Sequence, residues 1–189
     1  MIVSFDLDGT LIAGPFGAVI GEAADLISAG AAEGGGPDVA AAEVRSAVLE
    51  LHRTRLDRGE VNAYDWADIV GRVSARFGVS TGIDLDAMVA RRAPGGTRLL
   101  DPAALSLLDS LRDRGLRVVI LTNGYRRYQL PAIRAVGLDA VVDDVVTADD
   151  VGAAKPDPAI FARAYRASTS ATGWIMTSWA LAGPALPGS

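Results

Sequence analysis

The sequence predicts an α/β protein in which helices cover both faces of a Rossmann-like parallel sheet, with a small all-helical unit inserted after the first strand. An apolar run, Ile2 to Leu7, opens the chain, and only helical spacing follows it as far as Gly96. Beyond Gly96, strand and helix patterns alternate, as in parallel α/β sheets. We therefore expect a core made of residues 1–13 and 97–189, and an inserted helical unit over 14–96.

The first predicted strand is interrupted only by two polar residues, Ser4 and Asp6. It ends in Asp8-Gly9-Thr10, a loop-forming sequence. This pattern is typical of a buried strand that runs directly into a loop.

Residues 11–37 are Gly- and Ala-rich, with Gly34-Gly35-Gly36-Pro37 as the clearest break, and we assign no individual helix to them. Apolar residues at helical spacing then predict three helices, at 39–58, 63–77 and 85–92. We expect Pro94 to close the third helix. No part of the insert indicates a strand.

The second part of the chain alternates between the two patterns. It predicts a helix at 102–114, a strand at 117–122, a helix at 127–136, a strand at 140–146 and a helix at 158–167. The β-branched run at 117–122 is typical of a parallel strand buried on both faces. Pro131 is expected to limit the first turn of its helix.

Composition excludes several classes of function. The net charge of −5 gives no electrostatic basis for binding nucleic acid or an anionic membrane surface. The absence of cysteine excludes disulfides and thiolate metal sites. The N-terminus lacks the basic and apolar segments of a secretory signal, so we expect a cytoplasmic protein.

Polar residues follow three of the predicted strands or strand loops, and ligands of open parallel sheets bind at such carboxyl ends. Asp6 and Asp8, two positions apart, leave the strand on the same side. One carboxylate can attack phosphorus while the other moves protons at the leaving oxygen and at water. A divalent cation must then offset the repulsion between these acids and a phosphate dianion, and oxygen ligands favour Mg²⁺, with Asp6 and Asp8 as candidate ligands.

Thr122, Asn123 and Lys155 complete the candidate site. The Thr122 hydroxyl and nearby backbone N–H groups would bind phosphoryl oxygens. Lys155 is the single lysine among 18 basic residues, which indicates a task that arginine cannot perform. Its compact charge would stabilise the phosphoryl oxygens together with Asp6.

Each of these segments alone has a simpler structural interpretation. An Asp-x-Asp pair at a strand end is commonly a turn or cap, Thr-Asn-Gly is commonly a turn, and Lys-Pro-Asp-Pro is a helix start. Their occurrence together, in this order and after predicted strands, favours a catalytic site. Asp6-x-Asp8-Gly9-Thr10, Leu121-Thr122-Asn123-Gly124 and Lys155-Pro156-Asp157-Pro158 together resemble motifs one, two and three of the haloacid dehalogenase (HAD) superfamily.

This resemblance implies an aspartyl-phosphate intermediate on Asp6, with Asp8 as acid/base and as a backbone-carbonyl ligand of Mg²⁺. It also implies that the helical insert is a small cap that selects the substrate. A second aspartate at position 8 favours phosphatases over true dehalogenases. The predicted function is hydrolysis of a small phosphorylated metabolite.

The fourth motif of the superfamily, a strand ending in Gly-Asp with a further Asp for Mg²⁺, is missing. No Asp or Glu occurs after Asp157. One alternative is a diverged tail in which Asp149 or Asp150 supplies the metal carboxylate.

The genetic code suggests another explanation, a change of reading frame near residues 167–169. Three tail residues have single codons ending in G, namely Trp174, Met176 and Trp179. When the reading frame is shifted by two bases, each of these G bases begins a new codon, which is completed by the first two bases of the following codon. The three new codons encode Asp, Asp and Gly, in an Asp-x-Asp-x-x-Gly pattern similar to motif four. The hypothesis is that a frameshifted or truncated C-terminus weakens the metal site.

Three predictions concern residues outside the motifs. His52, the only histidine, is expected to have a surface or packing role rather than to bind a metal. Tyr64 and Trp66 are expected in the interior of the insert, and the alternative is that they line a substrate pocket. The alternative functions are a non-catalytic HAD-like protein that binds a phosphate compound or a partner, and a sugar-phosphate mutase.

Overall fold

A computed structural model describes residues 1–34, 38–80 and 82–166 of the chain. The predicted tail motif lies outside these residues. In chain order, the strands and helices are β1 (Ile2–Phe5), β2 (Ile12–Ala13), α1 (Phe16–Glu33), α2 (Ala41–Asp57), α3 (Trp66–Arg76), α4 (Leu85–Gly96), β3 (Arg98–Leu99), α5 (Ala104–Asp113), β4 (Arg117–Thr122), α6 (Arg126–Ala135), β5 (Asp144–Thr147), α7 (Ala148–Val151) and α8 (Pro158–Tyr165). Two 3₁₀ turns, Val61–Tyr64 and Leu138–Ala140, precede α3 and β5.

The central sheet is parallel, which confirms the predicted fold class. Its described strands have the order β1-β4-β5, with Ile2 opposite Arg117 and Thr122 opposite Thr147. Five of the six residues of β4 are buried, as expected for a β-branched central strand covered on both faces. The carboxyl ends of β1 and β4 therefore lie side by side.

Helix α1 lies within the Gly- and Ala-rich residues 11–37, where the sequence had not identified an individual helix. It spans 18 residues and buries one face, formed by Val19, Ile20, Ala23, Ala24, Ile27 and Ala31. Small residues on that face weaken the apolar periodicity in the sequence, although they still pack closely against α2 and α4.

The described residues of 14–96 contain no strand, as predicted. The two short strands β2 and β3, which the sequence did not indicate, lie just outside these bounds and pair in an antiparallel ladder. This ladder joins the two chain segments that enter and leave the helices α1 to α4. Pro94 does not close α4, which continues to Gly96 because a proline near the end of a helix removes few hydrogen bonds. Pro131 lies beyond the first turn of α6. The strand predicted at 140–146 begins only at Asp144, because a 3₁₀ turn precedes it.

Helices α1 to α4, called the helical region below, share one apolar cluster, and the sheet strands have their own. Tyr128 of α6 is an exception, because its ring is buried in the cluster of the helical region. Its hydroxyl accepts a hydrogen bond of 2.9 Å from the Ala67 N–H group. None of the helices in the described ranges combines the length and the apolar character needed to cross a bilayer.

Candidate active site

A cavity of about 410 Å³ lies between the carboxyl edge of the sheet and the helical region. Its sheet side, called the core wall below, contains all five candidate residues together with two others: Asp6, Asp8, Thr122, Asn123, Lys155, Gly124 and Gln129. The structure thus brings the residues of the three sequence motifs together in one place.

Lys155 makes the central ion pair of the core wall. Its Nζ group donates hydrogen bonds to Asp6 Oδ1 and, at 2.8 Å, to the carbonyl oxygen of Leu121 at the end of β4. The Thr10 hydroxyl donates to the other oxygen, Asp6 Oδ2, at 3.3 Å. These contacts orient the Asp6 carboxylate, as a nucleophile requires.

Asn123 positions the loop that carries Lys155. Its Oδ1 accepts a 2.6 Å hydrogen bond from the Lys155 backbone N–H, and its Nδ2 donates to the Lys155 carbonyl at 3.3 Å. Nδ2 also donates to the hydroxyl of Tyr64 in the helical region, at 2.9 Å. Both polar atoms of the Asn123 side chain therefore already have hydrogen-bond partners in the protein. A phosphate contact through the backbone of Asn123 remains a prediction.

Thr122 is 2% exposed at the end of β4. Its Oγ1 accepts a hydrogen bond of 3.2 Å from the Gly124 N–H. The hydroxyl proton has no acceptor among the described residues, so it is free to donate to an oxyanion in the cavity.

Gln129, in the second turn of α6, was not predicted from the sequence. It is 3% exposed, and its Nε2 donates a 2.7 Å hydrogen bond to Asp8 Oδ2. A Cβ atom at Gly124 would lie 1.8 Å from this Nε2 atom, so the glycine makes room for the amide. No sequence signal marks Gln129, because a glutamine in a helix is ordinarily a surface residue.

The Asp8 carboxylate has a raised pKa. Burial of the carboxylate among protein atoms is the main cause, although the residue as a whole remains open to solvent on one side. The Gln129 hydrogen bond lowers the pKa, while the neighbouring charge of Asp6 raises it. A carboxyl group that retains its proton more readily than usual is suited to protonating a leaving group.

The opposite side of the cavity, called the helical wall below, consists of Phe16, His52, Tyr64 and Trp66. His52 packs against Trp66 and Tyr64, as expected, and the side chains of all three residues also line the cavity. The spacing of these residues gave no indication of this, because they meet only when the 3₁₀ turn Val61–Tyr64 folds back against α2.

The oxygen donors of Asp6 and Asp8 suit Mg²⁺ in kind but not in number. Mg²⁺ requires about six oxygen ligands, commonly completed by water and substrate phosphate. Within the three described ranges, no group of three or more Asp, Glu, His or Cys residues is placed to hold a metal ion. The described residues thus supply part of a Mg²⁺ site.

Asp149 and Asp150 are engaged elsewhere. Asp149 Oδ1 accepts a 2.9 Å hydrogen bond from the Arg126 N–H, and Asp150 pairs with the Arg126 side chain and accepts from the Thr147 N–H. Neither residue lines the cavity that contains Asp6, which argues against either as the replacement metal ligand.

Comparison with known proteins gives a consistent picture. A model of haloacid dehalogenase-like hydrolases matches residues 1–168. A curated but uncharacterized protein of Lacticaseibacillus casei is 33% identical over 168 residues, which cover 84% of this chain and 66% of that protein. The (S)-2-haloacid dehalogenase 4A of Burkholderia cepacia is 40% identical over 60 residues, which cover 32% of this chain.

Among solved structures, the HAD phosphatase of Thermococcus onnurineus superposes with a TM-score of 0.66 at 27% identity, covering 86% of this chain and 68% of that one. The matches to the two curated relatives span 26% and 66% of their lengths. The similar proteins thus include both a phosphatase and a dehalogenase.

Proposed function

Because this chain belongs to the haloacid dehalogenase-like hydrolase family, we propose that it hydrolyses phosphomonoesters of small metabolites through an aspartyl-phosphate intermediate on Asp6. The observation that carries the proposal is the second carboxylate, Asp8, in the same cavity as the Lys155–Asp6 ion pair. A phosphomonoester needs a proton donor at its leaving oxygen, and Asp8 provides one.

The proposed reaction has two steps, which use the same residues. An Asp6 oxygen attacks phosphorus, the ester P–O bond breaks, and the leaving oxygen takes a proton from Asp8. Water then attacks the phosphorus of the aspartyl phosphate and gives its proton to Asp8, and the bond from phosphorus to Asp6 breaks to release inorganic phosphate. Lys155 and the Thr122 hydroxyl stabilise the phosphoryl oxygens in both steps.

The proposal includes Mg²⁺, held by the Asp6 carboxylate and the Asp8 backbone carbonyl. When bound, the ion would offset the negative charge of the two aspartates and the phosphate. Two further parts of the proposal rest on the sequence: residues 14–96 act as a cap, and the protein is cytoplasmic.

A frameshifted tail is the second element of the proposal. The match to the family model stops at residue 168, within the segment where the codon pattern puts the change of frame. Without a further carboxylate, Mg²⁺ would bind weakly, and phosphoryl transfer depends strongly on charge stabilisation. We therefore expect this chain to be far less active than a frame-restored one, by about 100-fold or more.

Two measurements test the tail hypothesis. Independent sequencing of codons 160–189 checks whether the shifted frame encodes Gly-Asp and the second Asp. An uninterrupted frame whose codons are incompatible with that motif would refute the hypothesis. Expression of the frame-restored gene then measures the gain in activity and in Mg²⁺ affinity.

Hydrolysis of a generic aryl phosphate, with and without Mg²⁺, tests the activity itself. We expect Mg²⁺-dependent release of phosphate and a loss of at least about 1,000-fold in Asp6→Asn. Activity that survives this substitution, or that does not need Mg²⁺, excludes the proposed mechanism. The frame-restored chain serves as the positive control if the present chain is inactive.

The dehalogenase-like relative motivates one alternative, hydrolysis of a 2-haloacid. Chloride release from 2-chloropropionate without phosphate release would favour it. A sugar-phosphate mutase would require a bisphosphate activator, and a non-catalytic protein would bind inorganic phosphate without turnover even in the frame-restored form.

A further inference from the structure

The helical wall is aromatic and contains no carboxylate, lysine or arginine among its described residues. The ring centroids of His52 and Trp66 lie 4.4 Å apart with an interplanar angle of 32°, and those of Phe16 and Trp66 lie 5.8 Å apart. The ring centroids of Tyr64 and His52 lie 5.9 Å apart in a T-shaped arrangement. Such a wall favours flat or apolar groups, because aromatic rings offer large contact areas without charge.

His52 contributes a hydrogen-bond acceptor to this wall. Its Nδ1 atom lies 2.7 Å from the carbonyl oxygen of Ala63. A carbonyl can only accept, so Nδ1 carries the proton. Burial, the main influence, lowers the pKa of His52, and the ring is therefore expected to be neutral near pH 7. In this tautomer Nε2 is an acceptor, and it has no hydrogen-bond partner within the described parts of the chain.

The charges of the cavity disfavour a second anionic group on the substrate. Lys155 is the only lysine or arginine among the described residues that line it, and it already pairs with Asp6. A carboxylate on the leaving group would meet no unpaired cation on the helical wall, and desolvation of such a charge is costly.

We propose that the substrate is a phosphomonoester whose leaving group is uncharged, packs a flat or apolar face against Trp66 and donates a hydrogen bond to His52 Nε2. The inference rests on the proposed function and narrows its substrate class. Hydroxyl-bearing or N–H-bearing neutral leaving groups fit this description, and carboxylate-bearing leaving groups do not.

Binding to the full-length Asp6→Asn variant tests the inference without turnover. Titration calorimetry in the presence of Mg²⁺ would compare phenyl phosphate with its three hydroxyphenyl and three carboxyphenyl analogues, which share one ring. We expect the best hydroxyphenyl phosphate to bind about 3- to 10-fold more tightly than phenyl phosphate, the effect of one net hydrogen bond. Every carboxyphenyl isomer is expected to bind more weakly than phenyl phosphate.

Two substitutions at position 52 assign the preference to the imidazole. In the Asp6→Asn background, His52→Phe keeps a flat ring but removes the acceptor, so the hydroxyl advantage should disappear while phenyl phosphate still binds. His52→Asn offers both an N–H donor and an oxygen acceptor, so it should restore part of the advantage. Retained phenyl phosphate affinity in both variants shows that the cavity is still folded.

A carboxyphenyl phosphate that binds as tightly as the best hydroxyphenyl phosphate overturns the inference. So does a hydroxyl advantage that persists in His52→Phe. Binding of inorganic phosphate distinguishes an error in the substrate class from an error in the proposed function. If it binds but the aryl series shows no preference, only the substrate class is wrong. If it does not bind and no chain turns over any ester, the proposed function fails and this inference fails with it.

Discussion

The two walls of the cavity differ in charge and in the kind of contact they make. On the core wall, the Asp6 carboxylate is fixed by Lys155 and the Asp8 carboxylate by Gln129. On the helical wall, four aromatic rings contact one another, and the wall is linked to the core wall by the Asn123–Tyr64 hydrogen bond. The core wall can stabilise changes in charge, whereas the helical wall can only distinguish shapes and hydrogen-bonding groups.

This difference predicts that the core wall determines the rate of the chemical step and the helical wall determines which substrate is preferred. Substitutions on the core wall should slow the reaction of every phosphate ester by a similar factor, because the phosphoryl group is common to all of them. Substitutions on the helical wall should instead change the ratio between esters. The following predictions, for a turnover-competent chain, test this separation.

The largest effect is expected for Lys155→Met, which removes the one ammonium group of the described core wall. We expect kcat to fall about 100- to 1,000-fold, as for the loss of one preorganised charge at a developing oxyanion. Steady-state kinetics with phenyl and hydroxyphenyl phosphates should give the same factor for both. Lys155→Arg is the matched control, and recovery of only part of the rate would show that a compact charge is required. Factors that differ strongly between the two esters would contradict the separation.

A smaller loss is expected for Gln129→Leu, which removes the donor to Asp8. We expect kcat to fall about 10-fold with little change in KM, because Asp8 loses its orientation for proton transfer. Gly124→Ala should have a similar effect, since a Cβ atom there would overlap the Gln129 amide. Arg134→Gln, on the exposed face of the same helix, is the control. Unchanged kinetics in Gln129→Leu would remove this residue from the site.

Tyr64→Phe should produce a change of only a few-fold. It deletes the hydroxyl that accepts from Asn123 but keeps the ring, so one net hydrogen bond between the two walls is lost. Kinetics with the aryl series should show a larger change in KM than in kcat. A kcat loss as large as that of Lys155→Met would place Tyr64 in the chemistry instead.

The smallest effect on activity is expected for Asp68→Asn, within the helical region and away from the cavity. Asp68 pairs with Arg55 of α2 and Arg72 of its own helix. Hydrogen bonding from Arg72 is the main cause of its lowered pKa, and Arg55 contributes as well. We expect a loss of stability on the order of 1 kcal/mol near pH 7, a small value because Asp68 is partly exposed.

The pH dependence of this loss has a definite sign. A carboxylate with a lowered pKa stabilises the folded state above its unfolded pKa, and this contribution disappears as pH falls through the folded value. Urea denaturation of wild type and Asp68→Asn at a series of pH values should therefore show curves that converge in acid. A difference that is constant from neutral pH to acid would contradict the assignment.

Apart from Gln129, the core wall could be predicted from the sequence, because backbone topology brings most of its residues together. Asp6, Asp8 and Thr122 lie at or just beyond the ends of adjacent parallel strands, so any parallel pairing of β1 and β4 makes them neighbours. Lys155 could be identified because it is the only lysine. Family membership of the chain confirmed the resemblance read from these same motifs.

Of the helical wall, the sequence offered only Tyr64 and Trp66, as the alternative to an interior position. The wall as a whole could not be predicted, because its residues meet through tertiary packing between elements. His52 lies on α2, whereas Tyr64 lies in a 3₁₀ turn, and the sequence does not specify the angle between these elements. Helix α1 was missed because alanines replaced the larger apolar residues that make periodicity visible. Gln129 is distinguished only by its burial, which depends on how α6 lies against the strand ends.

The position of Tyr128 restricts how molecules reach the cavity. Its phenol ring belongs to the sheet side of the fold through α6 but is fully buried among the side chains of α1 to α4. A hinge-like opening of the helices would have to pull this ring into water, at a cost of about 2 kcal/mol or more. The Arg127–Asp65 ion pair beside it would separate in the same motion. The open arrangement would therefore be a minor state, and any ligand that favours it must offset the cost of exposing Tyr128.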